Sequence, residues 1–368
     1  MTVLFDHQVF SLQRFGGISR YFYELMRHFS HMSDMDFELP LAVTSNVYMR
    51  SLFPEKYREY PARGKKFVGI FQFAINSLYT LRERKKHTYD VFHPTYYFPY
   101  FHDWGKPLVV TIHDMIPERF PGDFRGLVVT REWKRIFAHR ADKIIAVSEN
   151  TKKDIVELYG IKEEKIVVIH HGISFSPEIM ERAHFTKPVF QRYVLFVGVR
   201  RGYKNFERMV KALAPLIKKD LIDGLVCVGG GSFEKDEEQL FSELGLEKAV
   251  VRYDVSDEEL AFLYKNAAVF VFPSLYEGFG FPLLEAFASE CPVCCSLCSS
   301  FPEVAGEAAY YFDPYSEESM RESVEKVLGS PALRQQLINK GKERLKLFSW
   351  EKTAQYTKKV YEEILGKV

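Results

Sequence analysis

The chain has no apolar run approaching the roughly 18 residues needed to cross a bilayer as a helix. Its opening, MTVLFDHQVF, lacks the basic stretch, apolar core and cleavage site of an export signal, so the cytosol is the expected compartment. Net charge is almost absent: 50 basic residues against 49 acidic ones leave +1, which disfavours nucleic acid or any other polyanion as the main partner. No low-complexity tract or short repeat interrupts the sequence. Cysteine is scarce, yet four of the five fall in CPVCCSLC as Cys291, Cys294, Cys295 and Cys298. Zinc held by cysteine pairs needs a loop between the pairs, and the adjacent Cys294 and Cys295 would point to opposite faces of a strand. A buried strand using cysteine as a small apolar residue is the simpler reading, and no metal site is expected.

What the chain does have is length and a rhythm. At 368 residues it exceeds what one hydrophobic core usually serves, so two domains are expected, with a cleft between them. Aromatics make up 15%, for which a bulky core is the default reading, ahead of greasy substrates or a membrane face. Short β-branched runs alternate with helical periodicity from end to end, the pattern of βαβ units and parallel sheets. TVLFD, ELPLAVTS, DVFHPT, PLVVTIHD, KIIAVS and KIVVIHHG read as strands of a first series, and RYVLFVGV, GLVCVGG, VVRYDV, VFVFPS, PVCCSL and AAYYFD as a second. Periodicity fades over residues 174–190, where a linker is placed. The domains expected are residues 1–180 and 181–349, with a last helix over 350–368 packing back towards the first.

One stretch concentrates the chemistry: SLYEGFGFPLLEAF, residues 274–287, in which Glu277 and Glu285 bracket a glycine-rich turn between a strand and a helix. Amides at a helix N-terminus attract anions, and Gly278 and Gly280 would let the backbone of Gly278, Phe279, Gly280 and Phe281 approach a phosphate. A generic glycine turn has the same look. A carboxylate accepts two hydrogen bonds and suits a vicinal diol, so Glu285 could hold a ribose and Glu277 a second sugar across a diphosphate. An ordinary interaction of Glu285 with the helix dipole is the competing account.

With these residues in view, FPSLYEGFGFPLLEAFASECPV resembles the E-x7-E signature of the large group of retaining, nucleotide-sugar-dependent glycosyltransferases with the GT-B fold. FGGISRYFYEL, VVTIHDMIPERFP, KIIAVSENTKKDI, VIHHGI, FVGVRRGYKNFERMVKAL and SSFPEVAGEAAYYFDP match family blocks in the expected order, so the resemblance spans nearly the whole chain. It implies an α/β architecture of two Rossmann-like doubly wound domains facing across a cleft, the first binding acceptor and the second donor. It also implies that Arg200 and Lys204 neutralise the donor diphosphate, whose charge grows as the glycosidic bond breaks. Gly16 and Gly17 correspond to the family's N-terminal glycine loop, and His113 to a histidine near the transferred sugar; a plain turn and a structural histidine are the bland alternatives. His170 and His171 stand where the family often has proline and asparagine and carry no inherited role. Glu303 is left outside the catalytic set, and Tyr253 to Val255 flank the nucleobase by position alone.

The reading at this point is a retaining hexosyltransferase of surface polysaccharide synthesis, with GDP-mannose favoured as donor. No cofactor is expected: the departing phosphate can take the acceptor proton, and no Asp-x-Asp metal motif is matched in these blocks. A retaining glycosidase, a nucleotide-sugar epimerase of the same fold, a dehydrogenase and a non-catalytic nucleotide-sugar binder are the alternatives; the glycosidase has no use for phosphate-binding parts, and the dehydrogenase lacks G-x-G-x-x-G spacing. The acceptor is expected to be a glycan or lipid-linked saccharide. KKFVGIFQFAINSLYTLRERKKH joins an apolar helical face to basic ends at Lys65, Lys66, Arg82, Arg84, Lys85 and Lys86, which suits peripheral contact with an anionic membrane, with HPTYYFPYF along the acceptor's path. A core helix with a solvated basic turn fits the same residues.

Overall fold

The computed structural model describes all residues except 59–64, 84–87, 99–104, 125–127, 174, 188 and 368, and all side chains of the rest except those of 65–68 and 83. Arg84, Lys85 and Lys86, and the end of HPTYYFPYF from Pro99 onward, lie outside the described residues. Two compact units emerge. Met1–Gly172 joins Trp350–Val368 in the first, and Ile173–Ser349 forms the second.

In unit 1 the strands are β1 (Thr2–Phe5), β2 (Asp36–Glu38), β3 (Val91–His93), β4 (Val109–Ile112), β5 (Lys143–Ala146) and β6 (Ile166–Val168). They form two three-stranded sheets, β2-β1-β3 and β4-β5-β6, parallel throughout. A parallel bridge from Phe92 to Leu108 stitches β3 to the chain entering β4, so the six strands run in the order 2-1-3-4-5-6. The helix Gly17–Phe29 lays Tyr21, Phe22, Leu25, Met26 and Phe29 inward, and the C-terminal helix Trp350–Ile364 packs beside it. The stretch ELPLAVTS, expected as a strand, departs from that reading. The strand lies upstream, at Asp36–Glu38, because Pro40 offers no amide to a ladder; beyond it the chain keeps only a bridge from Thr44 to Tyr57.

Unit 2 carries β7 (Tyr193–Val197), β8 (Gly224–Val228), β9 (Val250–Tyr253), β10 (Val269–Phe272), β11 (Val293–Ser296) and β12 (Tyr310–Phe312) in one parallel sheet ordered β12-β11-β10-β7-β8-β9. Counted within the unit this is 3-2-1-4-5-6 read from the far edge, the doubly wound order whose reversal point lies between its first and fourth strands. Strands buried on both sides explain the near-continuous apolar runs YVLFV, GLVCV and VFVF. Serine side chains cap four unit 2 helices at Ser176, Ser256, Ser316 and Ser330, which fixes where each helix starts. The stretch 174–190, read as linker, holds the short helix Pro177–Glu181, which packs on the helix Asp257–Asn266 and so belongs to unit 2.

Candidate functional site

Two loops leave the C-terminal edge of the unit 2 sheet on either side of the strand-order reversal, one after β7 and one after β10. Open α/β sheets hold ligands at this point. The loop after β7 turns through a short 3-10 segment, Gly202–Lys204, into Asn205, whose positive φ of 57° starts the helix Phe206–Lys218. Asn205 is buried, and its amide donates to the carbonyls of Pro273 (3.1 Å) and Pro314 (2.8 Å). The Leu275 amide in turn donates to the Tyr203 carbonyl at 2.7 Å, so the two loops are laced together.

That lacing brings Lys204 and Glu277 into contact. Lys204 Nζ donates to Glu277 Oε1 at 2.5 Å, both side chains being about one-eighth exposed. The ammonium also sits over the rings of Tyr203 and Phe272, at 5.3 and 5.4 Å. Two serines absent from the expected site hold the Glu277 backbone. Ser299 Oγ accepts from the Glu277 amide at 3.0 Å and donates to its carbonyl at 2.6 Å, while Ser300 Oγ lies 2.8 Å from the Phe279 carbonyl. Gly280 starts the helix Phe281–Ala288 at φ 111°, where an added Cβ would also press on Leu283 Cδ1 at 3.3 Å, so no other residue type fits the turn well. Phe279 is a buried anchor between Phe281 and Phe348, so only its backbone could serve a ligand. Glu285, in the second turn of that helix, accepts from Tyr264 at 3.3 Å.

Arg200 departs from expectation. Its side chain is 2% exposed and turned under the glycine loop after β8. Nε donates to Glu237 at 2.7 Å, Nη1 to the Gly229 carbonyl at 2.6 Å, and Nη2 to the carbonyls of Gly231 and Ser232, both at 2.9 Å. A Cβ on Gly230, whose φ is 74°, would stand 2.7 Å from Nη1. Its donors are engaged by that loop and by Glu237, and the desolvated guanidinium needs these partners to be buried at all. Tyr253 is likewise engaged, edge-on to Phe185 at 5.0 Å.

The unit 1 candidates sit in different surroundings. Gly16 precedes the helix Gly17–Phe29 in extended backbone, and a Cβ there would strike Gln13 Oε1 at 2.7 Å. His113 follows β4. Burial, helped by the charge of Lys134, pushes its imidazole down to about 3, so the ring is neutral. Its Nε2 has no hydrogen-bond partner among the described residues, and it lines a cavity of about 70 Å³ with Tyr96, Tyr97, Asp114 and Lys134. Sequence reasoning missed Lys134: 4% exposed, it donates to the Asp114 carbonyl at 3.1 Å and to Glu118 at 2.7 Å, fixing the turn that carries His113. His171 stacks on His113, 5.6 Å between ring centres. At the reversal point of this unit, between β1 and β3, Asp6 closes the edge by accepting from Gln8 and Thr95, and burial raises its carboxyl to about 6.

The chain's single Asp-x-Asp tripeptide, Asp34-Met35-Asp36, stands at the start of β2, away from the strands' C-terminal edge, with Asp34 paired to Lys358. Among the described residues no group of three metal-capable side chains is found. Cys294 enters the apolar core beside Val271, and burial pushes the thiols of Cys291, Cys294 and Cys295 up.

With the geometry in place, likeness to known proteins is informative. The family model described as Glycosyl transferases group 1 matches residues 179–344, and that described as Glycosyltransferase Family 4 matches residues 15–176. The O-antigen chain mannosyltransferase B of Escherichia coli is 29% identical over 300 residues, 77% of this chain and 76% of that one. Among solved structures, sucrose-phosphate synthase from Thermosynechococcus elongatus superposes with a TM-score of 0.76 at 19% identity, over 100% of both chains. Anabaena HepE in complex with UDP and glucose superposes with a TM-score of 0.68 at 18% identity, over 100% of this chain and 99% of that one.

Proposed function

The chain belongs to the group 1 glycosyltransferases of GT-B fold, similar to bacterial polysaccharide mannosyltransferases, and from that premise we propose that it is a retaining hexosyltransferase using a nucleotide-diphosphate sugar, with GDP-mannose the favoured donor. The observation that carries the reading is the Lys204–Glu277 pair at the strand-order reversal of unit 2. A diphosphate arriving there finds an ammonium already placed, and a carboxylate beside it free to turn to a hydroxyl of the transferred hexose once the phosphate takes over Lys204.

In this reading Glu285 holds the ribose, and the amides from Gly278 to Phe281 face the phosphates. The bond from the anomeric carbon to the β-phosphate oxygen breaks while the acceptor oxygen bonds to the same carbon from the same face. The acceptor proton passes to the departing phosphate oxygen, so no protein base is needed. Charge accumulates on the leaving diphosphate, and Lys204 stabilises it most in the transition state. The reading calls for no divalent cation. Within unit 1, the candidates are His113, neutral and with an Nε2 suited to a hydroxyl, and the backbone amides of Gly16 and Gly17. The acceptor is a glycan or lipid-linked saccharide of surface polysaccharide synthesis, a reading supported by the likeness to the E. coli O-antigen chain mannosyltransferase B.

A thermal-shift series with GDP-, UDP- and dTDP-sugars tests the donor, since a ligand bound only by the folded state raises Tm. GDP-mannose is expected to give the largest shift. Proton NMR of the product then reads the anomeric configuration: retention is expected, and inversion, or an epimer formed from donor alone, would overturn the mechanism.

A further inference from the structure

In unit 1 the helix Lys65–Glu83 is built inside out. Its inward side carries Gln72, Asn76 and Thr80, all fully buried. Asn76 uses its whole side-chain capacity there: Oδ1 accepts from the amides of Ala42 (2.8 Å) and Val43 (3.0 Å), and Nδ2 donates to Ser11 Oγ (2.8 Å) and the Val43 carbonyl (2.7 Å). Thr80 donates to the Pro40 carbonyl, and Gln72 accepts from Ser45. These bonds fix the rotation of the helix, because turning it would strand buried amides and hydroxyls.

What is left outside is apolar. Ile70, Phe71 and Leu78 are 69%, 62% and 70% exposed, and Leu81 is 40% exposed. At 100° per residue these four and Ala74 fall within one sector about 100° wide, opposite Asn76. A stripe of this kind is unusual on a free surface. Its flanks are basic: the first turn has the sequence Lys65-Lys66, Arg82 stands exposed in the last, and Arg84-Lys85-Lys86 follows in the sequence. Cations at both ends of an apolar stripe match a surface that is negative outside and apolar beneath.

We propose that the helix Lys65–Glu83 lies on an anionic lipid surface, burying Ile70, Phe71 and Leu78 at the headgroup boundary while its polar side stays locked to unit 1. Membrane attachment is then independent of the chemistry proposed for unit 2, and the two can fail separately.

The test is cosedimentation of the full chain with vesicles of phosphatidylcholine alone or with about one-third phosphatidylglycerol. Binding is expected to the mixed vesicles only, and to weaken several-fold at about 0.5 M salt. The triple variant Ile70→Gln, Phe71→Gln, Leu78→Gln should bind about tenfold less or worse, with its Tm and its donor-induced thermal shift kept, since the positions are exposed. No binding to mixed vesicles, or equal binding by the triple variant, would overturn the proposal. So would a solution dimer of the native chain that this variant abolishes, because the stripe would then be covered by a second copy.

Discussion

The two units share a parallel α/β plan and differ in what they bury. Unit 2 encloses an apolar core of Val194, Phe196, Leu213, Val269, Val271 and Cys294, and holds all five cysteines. Unit 1 buries Asp6, His7, Asn46, Asn76, His93 and His171 among its aromatics, and has ten of the eleven histidines. The contrast extends to the two reversal points. In unit 1 a buried carboxylate bonded to Gln8 and Thr95 closes the sheet edge; in unit 2 the same place presents a charged pair with part of its surface in water. One plan can therefore spend its crevice on holding itself together or on offering charge to a ligand.

The largest consequence is acid lability that begins in unit 1. Burial holds His7, His93 and His113 near 3, and lowers His171 as well, so these rings stay neutral when folded and take up protons when unfolded. Stability is therefore lost as pH falls below 6.5. At about pH 5 each of the first three costs about 2 kcal/mol, and the raised Asp6 carboxyl, protonating first in the folded state, returns about 1 kcal/mol. A net loss of about 5 kcal/mol is a large part of a domain's stability. The chain carries its own reporters, because all three tryptophans fall in the sequence of unit 1 and all five cysteines in unit 2. On acidification tryptophan fluorescence should change at higher pH than that at which the buried thiols become reactive to dithiodipyridine. Thiols exposed first would break the comparison.

Next in size is a split between two neighbouring cations of unit 2. Lys204→Met should lower turnover by about 10²–10³-fold, with little change in KM, if it meets charge that develops in the transition state. Arg200→Met should act on stability instead. It leaves Glu237 and three carbonyls without their donor, at a cost of about 3 kcal/mol, while turnover of the folded protein stays within about tenfold. Steady-state kinetics beside thermal melts would separate them. If Arg200→Met abolished turnover at unchanged Tm, Arg200 would be reaching the donor.

The sequence made the sheets legible because strands buried on both faces leave unbroken apolar runs, and made the loop legible because Gly278, Gly280 and Pro282 mark a strand-to-helix turn whatever its role. Strand β2 was misplaced where an apolar run straddles Pro40. The fate of Arg200 could not be read, since its partners are backbone carbonyls from a loop some thirty residues on, and carbonyls leave no signature. Ser299 and Ser300 were missed for the converse reason: serine is common, and only the fold shows which backbone it holds. The lysine pairing with Glu277 spans 73 residues and appears only when the β7 and β10 loops are laced together.

The smallest expected effect falls on His113, and its size and shape both matter. A neutral imidazole at about 3 has no proton to gain near neutrality, so it can accept from or donate to a sugar hydroxyl but cannot act as a titrating acid or base there. His113→Asn keeps a hydrogen-bonding side chain and should lower turnover by about tenfold or less, with the pH profile of kcat unchanged in shape between about pH 6 and 8. A limb near 6.5 that disappears in the variant would mean that the ring is charged in the working enzyme. Unit 1 would then supply charge of the kind proposed for unit 2, and the division between a unit that holds its shape by buried polar groups and one that presents ions would no longer stand.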